Sequence, residues 1–464
     1  MTLISDTKIQ HQYTSARLAK DARFDGVFFT AVKTTGIYCR PICPANPPKE
    51  ENVEYYSSSI SAAESGFRPC LRCRPDSAPN SNAWIGTQVT LQRAVKLIDD
   101  GALQDDSLEA LSDRLGVTSR HLRGLFSEHL GTSPKRYALH RQCLLAKQLL
   151  HQTDLPVTQI AFATGFNSVR RFNEVMQERL ALTPTQIRSK VRSANDGIEL
   201  KLDYRPPFDW DKFIGFLQRR IIPGLEWVEH GCYGRTIDME GTSGMFELTP
   251  DPQQHCVRVK LCLSDLSKLP KVIQRIRAVL DLDAPIASIE AHLTDMVDNA
   301  FSYHSGLRVP GVWATFESGV RAILGQQVSV KQAHDLVTLL VEELGESVSM
   351  EHQSARYLFP SPQAVANSEL AFFRMPQSRK DTLRRLAKYM MTTEDTDDID
   401  AWLDIKGIGP WTVNYVKLRA TKDPDVWLDG DSGIKNALKL VGDLDTEQAR
   451  PYRSYLGFQL WNLL

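Results

Sequence analysis

Four of the eight cysteines form a pattern, Cys39-x3-Cys43 and Cys70-x2-Cys73, with 26 residues between the two pairs. In a chain expected to be cytoplasmic, two close pairs suit a tetrahedral thiolate site for one Zn²⁺ far better than disulfides. Most four-cysteine sites are structural, and the residues alone assign no more than that. Cys143, Cys232, Cys256 and Cys262 stand singly among apolar neighbours and read as core or incidental positions. Near the other end, Ile405-Lys-Gly-Ile-Gly-Pro-Trp-Thr412 reads as helix, Gly-x-Gly hairpin, helix. Backbone N–H groups around Gly407 and Gly409, at a turn leading into a helix N-terminus, can grip a phosphate without reading a base. By itself a Gly-x-Gly turn is a weak signal.

These groups need elements to hold them. At 464 residues the chain is too long for one core, and three or four domains are expected. Hydrophobic residues at 42% and charged residues at 24% are ordinary globular values that exclude wholesale disorder. No apolar run reaches the roughly 18 residues a membrane helix needs, and MTLISDTKIQ has no signal-peptide core. A soluble cytoplasmic, nucleoid-associated protein with no membrane partner is the expectation. The formal charge of −1 conceals an asymmetry. Residues 1–190 hold 24 Lys/Arg against 18 Asp/Glu, a net of +6, and the remainder carries −7.

Two polar stretches, residues 74–83 and 189–197, read as linkers. Between them the apolar spacing predicts helices, with Leu91, Val95 and Ile98 on one face and Leu108, Leu111 and Leu115 on another. LSDRLGVTSRHLRGLFSEHLGTSP (111–134) also matches IAFATGFNSVRRFNEVMQERLALTP (160–184), aligning Gly116 with Gly165 and Pro134 with Pro184 across one inserted residue. Each copy has helix, Gly turn, polar cap and helix, which is helix-turn-helix grammar. Alternation such as His255-Cys-Val-Arg-Val-Lys-Leu-Cys-Leu263 predicts antiparallel strands between 198 and about 302, and helical periodicity returns from about 303.

AVKTTGIYCRPICPANPPKEENVEYY followed by GFRPCLRCRPD closely resembles the N-terminal domain of Ada-type proteins of the alkylation response, over about residues 10–78. The resemblance implies that Cys39 accepts a methyl group from a methylphosphotriester in the DNA backbone, while Cys43, Cys70 and Cys73 complete the zinc ligands. A free thiol titrates near 8.5, and zinc coordination keeps it a nucleophilic thiolate at neutral pH. Four thiolates around Zn²⁺ sum to −2, and one methylation leaves −1, which should strengthen DNA binding. Arg40, Arg68, Arg72 and Arg74 crowd the cysteines and are expected to offset that charge and meet phosphates, with solvated surface charge as the alternative for each.

Gly165-Phe-Asn-Ser-Val-Arg-Arg-Phe172 through Leu182-Thr-Pro184 resembles AraC-type DNA-binding domains, which carry two helix-turn-helix units. Recognition helices would start near Thr118 and Ser168, with Arg120, His121, Arg123, Arg170, Arg171 and Asn173 facing the major groove or phosphates.

Residues 200–464 resemble the AlkA-type 3-methyladenine DNA glycosylase II branch of the helix-hairpin-helix family. The matching segments are Tyr204-Arg-Pro-Pro-Phe-Asp-Trp210, Gly319-Val-Arg-Ala-Ile-Leu-Gly-Gln-Gln-Val-Ser329, the hairpin and Pro451-Tyr-Arg-Ser-Tyr455. In that family an aspartate lies 20 residues beyond the residue following the hairpin. Counted from Trp411 this is Asp431, with Asp429 as the rival and an N-cap at the helix 432–440 as a second role. Trp411 stands where lyase-competent members carry a lysine, so no Schiff base forms and a monofunctional glycosylase is implied. Asp431 would stabilise an oxocarbenium-like sugar and orient or deprotonate water. Trp411, Tyr415, Trp461 and Phe216 would line the base pocket and offer cation–π faces, core packing being the alternative for Phe216 and Tyr415. Arg453 and Ser454 would be structural or phosphate-facing.

Two departures stand out. Gln327 replaces the leucine that wedges into the duplex, and the Pro-Cys-His-Arg motif of O6-alkylguanine methyltransferases is missing, so direct reversal of base damage is not expected. The expected architecture is multidomain, mainly α with α+β parts. It comprises a small zinc domain (1–78), a paired helix-turn-helix domain (84–190), an antiparallel α+β domain (198–302) and an all-α helix-hairpin-helix glycosylase domain (303–464). The expected function is excision of N-alkylated purines joined to methylphosphotriester sensing and transcription activation. Double-stranded DNA (alkylated bases, methylphosphotriesters, promoter sites) is the expected partner, with RNA polymerase beside it. The competing reading is a regulator whose glycosylase half binds DNA without catalysis. A third makes the zinc site structural or redox-responsive.

Overall fold

The computed structural model describes all residues except 1–2, 5, 22–23, 71, 74, 76–88, 100, 189–197, 298–299, 351, 394–395, 397 and 443. Arg74 and nearly all of both expected linkers lie outside the described residues. The architecture is multidomain and mainly helical, with sheets in two regions. Two compact units form, and they are not contiguous in sequence. One holds residues 1–206, 251–274 and 282–285; the other holds 207–250, 275–281 and 286–464.

In the first unit, a four-stranded sheet runs in the order Val53–Tyr56, Phe29–Val32, Ile37–Cys39, Arg68–Pro69. Its last pair is parallel, with Ile37 opposite Arg68 and Tyr38 opposite Pro69. The next residue on each strand is a cysteine, so the register itself brings Cys39 beside Cys70, and Cys70 N–H donates to the Tyr38 carbonyl at 3.0 Å. Small aromatic-rich clusters, Phe29, Tyr38 and Tyr56 in one and Phe28 and Tyr55 in another, back this sheet.

The helical segment places Leu91, Val95, Ile98, Leu108 and Leu111 in one core, with Leu115 half-buried against it. Leu108–Arg114 and Ser119–Leu130 form one helix-turn-helix; Val157–Ala163 and Val169–Leu180 form the other. The turns need Gly116 at φ +66° and Gly165 at φ +85°, the left-handed region that glycine enters without penalty. Thr118 and Ser168 cap the second helices, accepting from His121 N–H and Arg171 N–H. The aligned prolines do the same job in each copy: Pro134 opens the helix Pro134–Gln152, and Pro184 opens Pro184–Ile187. Strand Ile198–Asp203 pairs antiparallel with Cys256–Leu263 in this unit, His255 turning the chain at φ +49° just before the second strand.

The second unit contains an antiparallel meander, Glu226–Glu229, Cys232–Met239 and Thr242–Asp251, and a helical core around the fully buried Trp402. Buried Arg235 and half-buried Arg321 pair with the buried carboxylates of Glu226 and Glu317. Burial alone would raise the Glu226 carboxyl, but Arg321 and Arg235 hold it down at about 2. Among the described residues no helix is long and apolar enough to cross a membrane.

Candidate functional sites: a thiol cluster and an aromatic cavity

The four Sγ atoms of Cys39, Cys43, Cys70 and Cys73 lie within 4.8 Å of one another. The parallel strand pair supplies Cys39 and Cys70, and the turn closed by Cys43 N–H on the Arg40 carbonyl at 3.2 Å returns Cys43 to them. Four soft donors this close are the composition and spacing of a tetrahedral zinc site. Hydrogen bonding from Cys39 lowers Cys43 to about 7 and lowers Cys70 further, whereas the Cys43 contact raises Cys39 and burial raises Cys73. Without a cation the cluster cannot hold four negative charges; one Zn²⁺ fits it.

Arg40 departs from expectation. It is 5% exposed and locked between Asp25 and Asp203, bonding Asp203 Oδ2 at 2.5 Å, with its backbone N–H aimed at Cys73 Sγ at 3.3 Å. Burial opposes its charge, yet the two carboxylates raise its pKa above the ordinary value. A guanidinium so enclosed does not meet phosphate. Arg40 lines the roughly 440 Å³ cavity at the thiols together with Arg68, Arg72 and Arg17, the last paired with Glu50, and Arg40 alone of the four is held by two carboxylates.

The side chains of Arg120, His121, Arg123, Arg170, Arg171 and Asn173 are all exposed. Arg123 is loosely paired with Glu109 at 3.6 Å, and Arg170 with Glu174 at 2.9 Å, exposed ion pairs that exchange easily for phosphates.

In the second unit a cavity of about 670 Å³ is lined by Trp411, Tyr415, Trp461, Phe216 and Asp431. Gly407, at φ +102°, makes the hairpin before helix Pro410–Val416, and Gly409 caps that helix. A Cβ on Gly407 would sit 2.0 Å from Thr382 Oγ1. Gly407→Ala should therefore cost about 1–3 kcal/mol and weaken binding to undamaged duplex, read by thermal melting and gel shift. Gln326 ties the neighbouring loop to this helix through Thr412 Oγ1 at 3.1 Å. Gln327 itself is exposed, at φ +56°.

Asp431 caps helix Ser432–Val441, its Oδ1 accepting from Ile434 N–H at 3.0 Å and from Trp461 Nε1–H at 2.9 Å. Gly433 permits this approach, since a Cβ there would lie 3.1 Å from both Asp431 Oδ1 and the Trp461 ring. Asp431 is half-buried in the cavity wall, whereas Asp429 is exposed and outside it. Trp411 stacks on Tyr415 with centroids 5.3 Å apart. Arg453 binds Asp425 and Glu447, and Ser454 bonds Val426 N–H and the Asp423 carbonyl, so both are structural.

Phe216 is packed rather than open. It is 6% exposed, with the Arg220 guanidinium 3.8 Å and that of Arg419 5.0 Å from its ring centroid. A face so covered has little left for a cationic base. Arg220, Arg419 and Phe458 are wall residues that the sequence did not single out. Spacing could have found Arg220, four residues after Phe216 and just beyond the end of helix Trp210–Gln218. Arg419 sits in a single wide π-type turn, Lys417–Thr421, which no periodicity announces.

Three families match along the chain: the metal binding domain of Ada at residues 12–76, a helix-turn-helix domain at 111–190 and the AlkA N-terminal domain at 199–314. A probable bifunctional transcriptional activator/DNA repair enzyme AlkA of Mycobacterium tuberculosis is 35% identical, over 96% of this chain and 95% of its own. DNA-3-methyladenine glycosylase 2 of Escherichia coli is 29% identical over 56% of this chain and 95% of its own. The bifunctional transcriptional activator/DNA repair enzyme Ada of the same species is 34% identical over 37% of this chain, which spans 47% of that protein. With the thiol cluster at the front, paired helix-turn-helix units behind it and an alignment running through both units, the chain belongs to the family of AlkA-type bifunctional transcriptional activators and DNA repair enzymes.

Proposed function

We propose that the chain repairs alkylated DNA and regulates the response to it, as a monofunctional 3-methyladenine-type glycosylase acting at Asp431 and a methylphosphotriester sensor acting at Cys39. The domain limits 1–78, 84–190, 198–302 and 303–464 belong to the same reading. The observation that carries the glycosylase half is Asp431, a carboxylate in the wall of an aromatic cavity behind a Gly-x-Gly hairpin. The damaged nucleotide turns out of the duplex into that cavity, its base against Trp411, Tyr415 and Trp461. As the glycosidic bond breaks, positive charge grows on the sugar, and Asp431 stabilises it and orients the attacking water. Oδ1 is already engaged by two N–H donors, which leaves Oδ2, without a partner among the described residues, for water and sugar. With Trp411 in place of an amine, base release is not followed by strand cleavage at the abasic site. A duplex methylated on its purines tests this: free base should appear without nicking, and nicking in step with base release would refute the monofunctional assignment.

At the front, bound Zn²⁺ would keep all four thiols ionised and one of them nucleophilic. Cys39 Sγ attacks the methyl carbon of the triester, the methyl–oxygen bond breaks, and an ordinary phosphodiester anion leaves. Arg68 and Arg72, lining the same cavity, supply the positive field for that backbone. Peptide mass spectrometry after exposure to methylphosphotriester DNA should find one added methyl, on Cys39; a methyl on another cysteine, or none, rejects the assignment. The charge change at this site then strengthens promoter binding by the paired helix-turn-helix units, through which RNA polymerase would be engaged.

A further inference from the structure

The cavity that holds Asp431 is electrically two-ended. At one end Asp431 accepts from Trp461. From Trp461 a row of rings leads through Phe458, centroids 6.2 Å apart, to Phe216, a further 5.0 Å. Beyond that row stand Arg220, 3.8 Å over Phe216, and Arg419, 5.0 Å from the same ring.

Among the described residues neither arginine has a carboxylate partner. Arg220 gives Nη1–H to the Phe216 carbonyl at 3.1 Å; Arg419 gives Nε–H to the Pro310 carbonyl at 2.6 Å and Nη1–H to Tyr415 Oη at 3.2 Å. Their remaining N–H groups meet no acceptor among the described residues. The contrast with Arg235 and Arg321 close by is sharp, since those two share Glu226 and Glu317 between them. Burial lowers Arg220 to about 10, with the charge of Arg419 adding to it, and burial likewise lowers Arg419. The cavity's other charged side chains are the exposed Asp211, Lys212 and Arg219 and the carboxylate-paired Arg321. Unpaired, partly desolvated guanidinium groups at a cavity wall are costly unless a ligand supplies acceptors.

Such a stretch of wall offers nothing to a cationic base, which Trp411, Tyr415 and Trp461 meet instead, and suits a departing anion well. When the damaged base is already cationic, its departure carries no negative charge to the arginines. When the base is neutral, the glycosidic C1′–N bond breaks with its electron pair going to the base. The sugar becomes positive and the base negative, the two charges the cavity separates. We propose that Arg220, assisted by Arg419, is the leaving-group partner for neutral damaged bases that present ring nitrogen or carbonyl acceptors. Water oxygen then bonds to C1′, its proton passes through Asp431 to solvent, and the base anion takes a proton from solvent, completing a hydrolysis. This rests on the glycosylase reading above and assigns a leaving-group residue to the same site.

The test uses the full chain and two duplexes of one sequence, one carrying deoxyinosine as the neutral base and the other N7-methyldeoxyguanosine as the cationic one. Single-turnover release is measured for wild type, Arg220→Met and Arg220→Lys. Arg220→Met should lower the neutral-to-cationic rate ratio by about 100-fold, the loss typical of one transition-state donor, and Arg220→Lys should restore part of it. An equal fall on both duplexes, no fall on either, or a wild type inert toward the neutral base overturns the proposal. Thermal melting of Arg220→Met separates misfolding from a specific loss, and should the variant not fold, the Arg220→Lys ratio decides alone. Asp431→Asn on both duplexes keeps the underlying reading distinguishable: if it releases base normally, the glycosylase assignment fails first.

Discussion

Asp431→Asn is expected to slow release of methylated purines from duplex DNA by on the order of 10²–10³-fold, the penalty for losing a preorganised charge at a transition state. The change is unusually clean at this position. Asparagine caps helices as well as aspartate does, so its side-chain oxygen can still accept from Ile434 N–H and Trp461 Nε1–H as Asp431 Oδ1 does. The helix Ser432–Val441 and the position of the Trp461 ring are retained while the negative charge opposite the sugar disappears. Asp431→Ala removes the charge and the cap together, and should add about 1 kcal/mol of lost stability. Comparing the two by single-turnover release and by thermal melting separates chemistry from structure. Base release by Asp431→Asn at the wild-type rate would show that the catalytic carboxylate lies elsewhere and would favour a regulator whose rear half only binds DNA.

Removing zinc should have the largest effect on folding. The apolar clusters behind the four-stranded sheet are small, and structural zinc sites carry about 10–16 kcal/mol of apparent binding free energy in metal-dependent domains. The thiol cluster holds the end of strand Ile37–Cys39 against Arg68–Pro69 and has no apolar substitute. Chelation is therefore expected to unfold the sheet. Hydrogen exchange reads this directly, because amides such as Cys70 N–H, bonded to the Tyr38 carbonyl, should lose protection. Protection that survives chelation would mean that the sheet stands without its metal. Zinc added back should restore protection together with methyl acceptance at Cys39.

The thiol cluster and the helix-turn-helix pair were legible in sequence for a shared reason: their geometry is local. A cysteine pair three or four residues apart can converge through one turn, and a Gly turn followed by a Ser or Thr cap fixes where a recognition helix begins. The place of Asp431 in the cavity wall followed the spacing that the family resemblance implies, and its N-cap role followed from its position just before Ser432. Arg40 was not. Its type suggested a phosphate contact, but its fate depends on Asp203, 163 residues away, and periodicity reports that a residue is buried without saying against what. Arg220 and Phe216 show the same limit at closer range. The family resemblance put Phe216 at the pocket, yet which groups would cover its ring depended on Arg419, brought there by the wide turn after helix Pro410–Val416.

The guanidinium that follows Cys39 also bears on how such a chain can be taken apart. Arg40 is neutralised by two carboxylates, and Asp203 belongs to a strand that begins only after residue 197. A fragment ending near residue 190 keeps Asp25 but strands half of that neutralisation. It also deprives helix Pro134–Gln152 of the Gln148 bond to the Lys201 carbonyl. A cut at residues 189–197 therefore runs through a shared electrostatic joint, and keeping that joint whole takes both Asp203 and Cys256–Leu263, the strand paired with its own.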